Sequence, residues 1–211
     1  MTNFIPIFPL SIVVYPGEEL NLHIFEPRYK QLVVESFKAN RPFGIPSVIS
    51  NHLNELGTLV EIIEVSKTYD NGELDIKTRG TKIFRILEEI KDVPDKLYGG
   101  AIVSYPLNKG HGSHSLMKKV INGIRELHRL LKVPNQFKKP EDQLWSYDVA
   151  HHAGLSLKEE YELLGLFTEL QRQEYLKRHI TKVLPVVAEM ELLREKIKLN
   201  GHFKNLSGLD L

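Results

Sequence analysis

The sequence FPLSIVVYPGEELNLHIFEPRY, residues 8–29, contains four structural signals in a short space. It begins with an apolar run that ends at Pro16-Gly17, a pair typical of tight turns. The segment LNLHIF (20–25) then alternates between two faces, and this period of two predicts a β-strand. Its predicted inner residues are Leu20, Leu22 and Ile24, and its predicted outer residues are Asn21, His23 and Phe25.

The hydrophobic period changes directly after this strand. From Glu26 to Asn40 apolar residues recur at spacings of three and four, which predicts an amphipathic helix. Pro27 suits its first turn, because the N–H that proline lacks has no intrahelical partner there. The predicted apolar face consists of Tyr29, Leu32, Val33 and Phe37.

Further strand signals follow this helix. Asp70-Asn71-Gly72 predicts a hairpin turn, since Asn and Gly tolerate positive φ. In residues 57–69 the apolar phase slips, which indicates a β-bulge or a strand covered on both faces. The predicted strands after the first are 43–49, 57–69, 73–79, 81–90 and 97–105. Such short strands at close spacing favour a small barrel or sandwich.

The second half of the chain has a helical period. Leu116, Val120, Ile124, Leu127 and Leu131 form one stripe over a predicted helix at 115–132. Ser156 and Glu159 have the spacing of a capping box. Further helices are predicted at 143–152, 157–167 and 169–182, the last continuing through Pro185.

Composition indicates an ordinary globular protein. The 211 residues are 42% apolar and 26% charged, and the formal net charge of +1 selects neither nucleic acid nor an anionic membrane. The chain has no cysteine, which excludes disulfides and cysteine nucleophiles and agrees with a reducing cytoplasm. We expect a cytoplasmic protein, without a signal peptide or a membrane span.

Three segments in order carry a resemblance to a known family. They are IPIFPLSIVVYPGEELNLHIFEPRY (5–29), RPFG (41–44) and GTLVEIIEVSKTYDNGELDIKTRGTKIFRI (57–86). Together they resemble the N-terminal, substrate-binding domain of Lon proteases, in the stand-alone form found in bacteria. The resemblance is specific over about residues 4–106, and only the type of structure agrees in the helical half.

The resemblance implies an α+β fold. A PUA-like module, a six-stranded β-barrel or pseudo-barrel at 1–106, would be followed by a C-terminal helical bundle at 107–200 and a tail at 201–211. The implied function is non-catalytic capture of unfolded or extended polypeptide, with polypeptide substrates or a protease as partners. We expect no ATPase or protease domain and no enzymatic activity, because no G-x-x-x-x-G-K-[ST] phosphate loop occurs. We also expect no cofactor.

Four residues of the opening segment are candidates for substrate binding. Tyr15, Phe25, Arg28 and Tyr29 would line an aromatic groove for extended peptide, since aromatic side chains bury much area at low entropic cost. A purely structural role is the alternative for the same segment, because turn and cap residues usually shape the backbone.

A basic segment is the second candidate site. Residues 109–139 contain eight Lys and Arg against the single acid Glu126, a net charge of +7. On the helix at 115–132, one face carries Lys118, Arg125, Arg129 and Lys132. This face is a solvated surface, a site for acidic partners, or an RNA-binding site of a PUA-like protein.

The histidines and carboxylates do not predict a reaction centre. The pairs His111/His114 and His151/His152 have no cysteine or carboxylate set nearby, so we expect no metal site. No G-x-S-x-G elbow is present. Glu88-Glu89 is typical of a solvated face, so no residue is assigned a catalytic role.

Overall fold

A computed structural model describes residues 3–134 and 137–206, with side chains through residue 198. The chain forms two compact units. The first contains the residues up to Gly110 and the segment Leu155–Thr168, and the second contains His111–Gly154 and the chain from Glu169. The predicted helical module included Leu155–Thr168, which groups here with the first unit. Residues 207–211 of the predicted tail lie outside the described residues.

In the described residues, the first unit contains an antiparallel sheet of six strands. They are β1 (Asn3–Pro6), β2 (Glu19–Ile24), β3 (Phe43–Ile49), β4 (His52–Thr68), β5 (Leu74–Ile90) and β6 (Gly100–Ser104). The spatial order is β1-β6-β5-β4-β3, and β2 pairs with β5 outside this path. The predicted six-stranded α+β architecture is confirmed, and the sheet is not a closed barrel.

The chain after β1 approaches β3 without forming a regular ladder. Isolated parallel bridges join Ile7 to Gly44 and Leu10 to Ser47. The Phe8 N–H donates to the Gly44 carbonyl at 2.8 Å. These contacts link the two ends of the sheet path, so the pseudo-barrel form of the prediction describes the sheet better than a closed barrel.

The long strands β4 and β5 form the predicted hairpin. Its turn contains Gly72 at a φ of +75°, a conformation that favours glycine. The register between the two strands shifts after Leu59, after Ile62 and after Val65. These irregularities confirm the bulge predicted from the slip in apolar phase. The predicted strands 73–79 and 81–90 are one continuous strand, β5.

The helix α1 (Pro27–Ala39) covers one face of the sheet, as its period predicts. Tyr29, Leu32 and Val33 are buried, and the Tyr29 ring lies 4.0 Å from that of Phe8 between centroids. The prediction for Phe37 is wrong, because its side chain is 49% exposed. Ser36 is buried instead, one position earlier on the helix. The apolar arc on α1 is therefore narrower than its spacing suggested.

The helix α4 (Leu157–Leu164) belongs to the same unit. Its predicted capping box is confirmed, since the Ser156 hydroxyl accepts from Glu159 N–H and the Glu159 carboxylate accepts from Ser156 N–H. The Tyr15 hydroxyl donates to the Glu160 carbonyl at 3.1 Å, and the Tyr161 hydroxyl accepts from Leu56 N–H at 3.1 Å. Tyr161 thus attaches α4 to β4, and Tyr15 attaches it to the segment that leads into β2.

The second unit is helical. Its elements are α2 (His114–Leu131), α3 (Ser146–Val149) and α5 (Glu169–Leu206) with short 3₁₀ turns at Glu141–Gln143 and Ala150–His152. The α2 stripe is buried as predicted except at Leu131. The single helix predicted at 143–152 is wrong, because the Asp148 carboxylate caps Trp145 N–H at 2.9 Å and starts a new helix there. The helix α5 continues through Pro185, as predicted.

Candidate functional site

An exposed aromatic side chain follows the last residue of β2. Phe25 is 59% exposed, and its ring is stacked on the His23 imidazole at 6.2 Å between centroids. The strand before it buries Ile24, so the alternation of LNLHIF is confirmed and directs Phe25 outward. The end of β2 therefore presents the apolar ring of Phe25 to solvent, next to the polar imidazole of His23.

The backbone of β2 has one paired edge and one open edge. All six residues pair with β5 in continuous register, from Glu19 opposite Arg79 to Ile24 opposite Leu74. No strand pairs with its other edge in the part of the chain that the structure describes. An open edge of this kind is a template for an additional strand.

The hydrogen-bond pattern identifies which groups face the open edge. Gly80 N–H donates to the Glu18 carbonyl at 2.8 Å, just before β2 begins. Ladder bonds in an antiparallel pair alternate along the strand, so the next ones lie at Leu20, Leu22 and Ile24. The N–H and C=O groups of the residues between them therefore point away from β5. These residues are Glu19, Asn21 and His23.

The His23 imidazole connects β2 to β5. Its Nδ1 lies 2.7 Å from Asp75 Oδ1 and its Nε2 lies 3.2 Å from Glu73 Oε2. The Tyr69 hydroxyl donates to the other Asp75 oxygen at 2.8 Å. The hydrogen bond to Asp75 raises the pKa of His23, and the same bond lowers the pKa of Asp75. The protonated imidazole thus strengthens the attachment of β2.

A second ionic cluster lies at the start of β2. The Glu19 carboxylate contacts the Arg79 guanidinium at 2.7 Å and the Lys77 ammonium at 2.8 Å. Hydrogen bonds from Arg79 first and Lys77 second lower the pKa of Glu19 to about 2. Both ends of β2 are thus attached to β5 through side chains, while its outer backbone edge stays open.

The structure does not bring the four predicted aromatic-groove residues together on one surface. Tyr15 and Tyr29 are buried, so their side chains belong to the core. Arg28 is exposed, pairs with Glu26 at 2.7 Å and lies 4.5 Å from the centre of the Tyr29 ring. Phe25 and Arg28 are the two members of the set that present a side chain to solvent.

Three of the four basic-face side chains are already ion-paired. The pairs are Arg125 with Glu141 at 2.6 Å, Arg129 with Glu126 at 2.7 Å and Lys132 with Glu195 at 3.4 Å. Glu141 and Glu195 lie outside residues 109–139, so the count of +7 omitted them. Lys118 is exposed. The face therefore presents much less unpaired positive charge than the sequence count suggests.

A buried polar cluster in the second unit was not found from the sequence. The Glu169 carboxylate accepts from the Ser146 hydroxyl at 2.6 Å, from Arg172 at 2.9 Å and from Gln173 at 3.0 Å. The Arg172 guanidinium also lies 4.1 Å from the centre of the Tyr147 ring. These groups satisfy each other, which indicates a structural role.

The spacing of this cluster contains the signal that could have revealed it. Glu169, Arg172 and Gln173 continue the helical stripe of Leu176 and Ile180, both of which are buried. Polar residues in register with a core stripe indicate burial, even though their chemistry suggests a surface.

The histidine pairs belong to the second unit. His111 and His114 are exposed, and the His128 Nε2 lies 2.9 Å from the His152 carbonyl oxygen. Burial lowers the pKa of His152. Among the residues with described side chains, no three His, Cys, Asp or Glu are grouped so as to hold a metal ion.

Within the described residues, none of the helices combines the length and apolar character that crossing a bilayer requires.

Comparison with known proteins identifies the family. A model of the ATP-dependent protease La (LON) substrate-binding domain matches residues 5–182. The chain belongs to this Lon substrate-binding domain family. The resemblance, specific over about residues 4–106, is thereby confirmed, and the matched range also includes most of the helical half.

Solved structures of Lon N-terminal domains share the fold. The crystal structure of a Lon N-terminal domain protein from Xanthomonas campestris has a TM-score of 0.61 at 26% identity, covering 82% of this chain and 96% of that one. The N-terminal domain of the Mycobacterium avium complex Lon protease has a TM-score of 0.59 at 12% identity, covering 85% of this chain and 98% of that one. No curated protein matches the chain.

Proposed function

We propose that this Lon-type domain binds extended polypeptide, without turnover, by adding it as a strand to the open edge of β2. The observation that carries the proposal is the regular outer edge of β2, six residues long and next to the exposed Phe25. Strand addition supplies affinity through backbone hydrogen bonds, which every extended polypeptide offers. It therefore suits a domain that accepts many unfolded sequences.

A second open edge is less suitable. The ladder between β3 and β4 ends at the pair Phe43 and Val60, so the β4 residues after Val60 lack a strand on that side among the described residues. That part of β4 contains two register shifts, after Ile62 and after Val65. Bulges disturb the even array of donors and acceptors that an added strand needs. The edge of β2 has no such shift.

Phe25 would act as the apolar anchor beside this edge. Its exposed ring can bury against one apolar side chain of the bound segment, at low entropic cost. Leu20 and Leu22 are half-buried and add apolar surface on the inner side of the edge. Apolar, extended segments are exposed in unfolded proteins and hidden in folded ones, which gives the domain its selectivity.

The proposed partners are polypeptide substrates or a protease that receives them. The cytoplasmic location expected from the sequence is part of the same proposal. We do not favour the RNA alternative, because three of the four side chains it relied on are ion-paired.

A proline substitution tests the edge directly. The Asn21 N–H points away from β5, so Asn21→Pro removes one outward donor and leaves the ladder to β5 intact. Asn21→Ala is the matched control, since it removes the side chain and keeps the donor. Binding of a fluorescent, unstructured apolar peptide to the full chain is measured by anisotropy for both variants.

We expect Asn21→Pro and Phe25→Ala each to weaken peptide binding by about tenfold, while Asn21→Ala binds normally. Phe37→Ala is a second control, because Phe37 is a similarly exposed aromatic residue on α1. Equal affinity of all four variants and the wild type would exclude this edge as the binding site.

A further inference from the structure

The C-terminal part of α5 exposes a regular apolar stripe. Val186, Met190, Leu193 and Ile197 follow one another at spacings of four, three and four. Each of these side chains is between 56% and 61% exposed. The spacing is that of the a and d positions of a heptad, which in coiled coils face a partner helix. Single exposed apolar residues are common on protein surfaces, but four of them on one helix face form a continuous apolar patch. Such a patch is typical of an interaction surface.

The covered part of the same helix shows what this stripe is suited to contact. Leu176 and Ile180, earlier on α5, are buried. Ile180 packs so closely on α2 that a β-carbon on Gly123 would lie 2.5 Å from its Cγ2. The helix thus packs against a helix over its first turns, and the later turns present a stripe of the same kind without a cover in the described residues.

We propose that this stripe pairs with the same stripe of a second copy of the chain, in a parallel two-helix arrangement. Met190 and Ile197 occupy the a positions, and Val186 and Leu193 occupy the d positions. A β-branched residue at a and leucine at d favour parallel dimers, and the two successive layers formed by Leu193 and Ile197 match this pattern.

The charges beside the stripe agree with self-pairing. In parallel register, Glu189 at a g position faces Arg194 of the partner subunit at the following e position, and the symmetry produces this pair twice. Arg194, whose side chain is 70% exposed, pairs with the mostly buried Glu191 at 2.8 Å within its own helix, and the proposed contact with Glu189 of the partner subunit would replace or share this pair.

The segment 186–198 has no net charge. It contains three basic residues, Arg194, Lys196 and Lys198, and three acids, Glu189, Glu191 and Glu195. A segment without net charge does not repel its own copy. It also produces no electrostatic field that would attract a strongly charged partner. A second copy is therefore the occupant that these charges fit.

The expected dimer is weak. Four apolar layers bury less area than a stable interface of standard size, so we expect a dissociation constant in the micromolar range. The dimer proposal does not rest on the proposed polypeptide site, because the stripe belongs to the second unit and β2 belongs to the first.

Two neighbouring leucines provide a matched test. Leu193 lies on the stripe, and Leu192 is the preceding residue, rotated away from the stripe by about 100° around the helix axis. Both side chains are more than half exposed. Leu193→Asp should raise the dimer dissociation constant by roughly thirtyfold or more, as for a hot-spot residue, while Leu192→Asp should leave it close to wild type. Sedimentation equilibrium of the full chain over a range of concentrations measures both, with circular dichroism as the check on folding.

A cysteine variant tests the orientation, because the chain has no cysteine of its own. In the parallel arrangement Leu193 faces Leu193 of the partner subunit, so Leu193→Cys should form a disulfide-linked dimer readily, and Leu192→Cys should not. A wild-type chain that stays monomeric at high micromolar concentration overturns the proposal. A dimer in which neither cysteine links, or both link equally, overturns the parallel stripe.

Discussion

The backbone carbonyl of Tyr15 packs directly against Gly80, in the space that a β-carbon on that residue would occupy. Gly17 N–H donates to the Gly80 carbonyl at 2.8 Å, and Gly80 N–H donates to the Glu18 carbonyl at 2.8 Å. The Pro16-Gly17 turn is therefore held against β5 by its backbone. This contact fixes the point at which β2 begins and so determines which of its groups face the open edge.

Replacing Gly80 by alanine should strongly destabilise the fold. The new methyl group would collide with a backbone atom, which cannot move aside as a flexible side chain can. We expect Gly80→Ala to lower the free energy of unfolding by about 2 to 3 kcal/mol, measured by urea denaturation. Gly110→Ala is the control, since a β-carbon on Gly110 would meet no atom within 4 Å. Equal stability of the two variants would show that β5 accommodates the turn in another way.

The elements predicted best are those whose signals are local. The alternation at 20–25 and the first-turn proline at Pro27 place β2 and α1 within about one residue of their observed bounds. The pairing of β2 with β5 could not be predicted in the same way, because it joins residues that are fifty to sixty positions apart in the sequence. The open edge of β2 follows from that pairing, so no local pattern reveals it.

The candidate site was predicted less well than the fold, for a physical reason. Residue type identified Tyr15 and Phe25 as aromatic anchors, but aromatic residues serve equally well in a core. The alternation of LNLHIF already predicts that Phe25 points outward, whereas only the three-dimensional packing shows that Tyr15 is buried. Charge was misleading for a similar reason, since the acids that pair with Arg125 and Lys132 are distant in sequence.

The buried ion pair of Arg172 and Glu169 should be essential for stability. Arg172→Met leaves the Glu169 carboxylate buried with its charge uncompensated, so we expect a loss of about 3 to 5 kcal/mol in the free energy of unfolding. The control is Arg129→Met, which breaks an ion pair of the same i,i+3 spacing with Glu126 on an exposed helix face. That variant should unfold like the wild type. If it is as unstable as Arg172→Met, burial is not what makes the inner pair matter.

The contact between Tyr98 and Glu35 should make the free energy of unfolding vary with pH in the acidic range. Hydrogen bonds from Lys96 first and Tyr98 second lower the pKa of Glu35 below its usual value of 4.5. A lowered folded-state pKa adds stability above the unfolded-state pKa, and this contribution is lost as the pH falls through the folded value. Because Glu35 is partly exposed, we expect Tyr98→Phe to cost only about 1 kcal/mol near neutral pH.

Thermal unfolding at pH 7 and at pH 3 distinguishes this contribution from simple packing. The difference between wild type and Tyr98→Phe should be smaller at pH 3 than at pH 7, because more of the Glu35 carboxylate is protonated at the lower pH. A difference that stays constant over this range would mean that the tyrosine acts through its ring alone.

The attachment of β2 through His23 should respond to pH in the opposite sense. The pKa of His23 is raised, mainly by its hydrogen bond to Asp75, so the charged contact is complete below pH 6.5 and is lost as the pH rises through the folded-state value. Titration of the His23 ring by NMR should give a pKa above 6.5 in the wild type. Asp75→Asn should lower that pKa more than Glu73→Gln does, because Asp75 is the larger cause. The reverse order would contradict the hydrogen bond as the dominant contact.

The ion pairs on α2 predict how the chain behaves towards RNA. Because Glu126, Glu141 and Glu195 neutralise three basic side chains, we expect weak binding of a single-stranded RNA by the wild type, with a shallow dependence on salt. Replacing all three glutamates by glutamine should raise the affinity and steepen its salt dependence, since each freed cation can then neutralise a phosphate. Filter binding at several salt concentrations measures both quantities. Tight binding by the wild type that is abolished by reversing the charges of Lys118, Arg125 and Arg129 would instead establish the basic face as a nucleic-acid site.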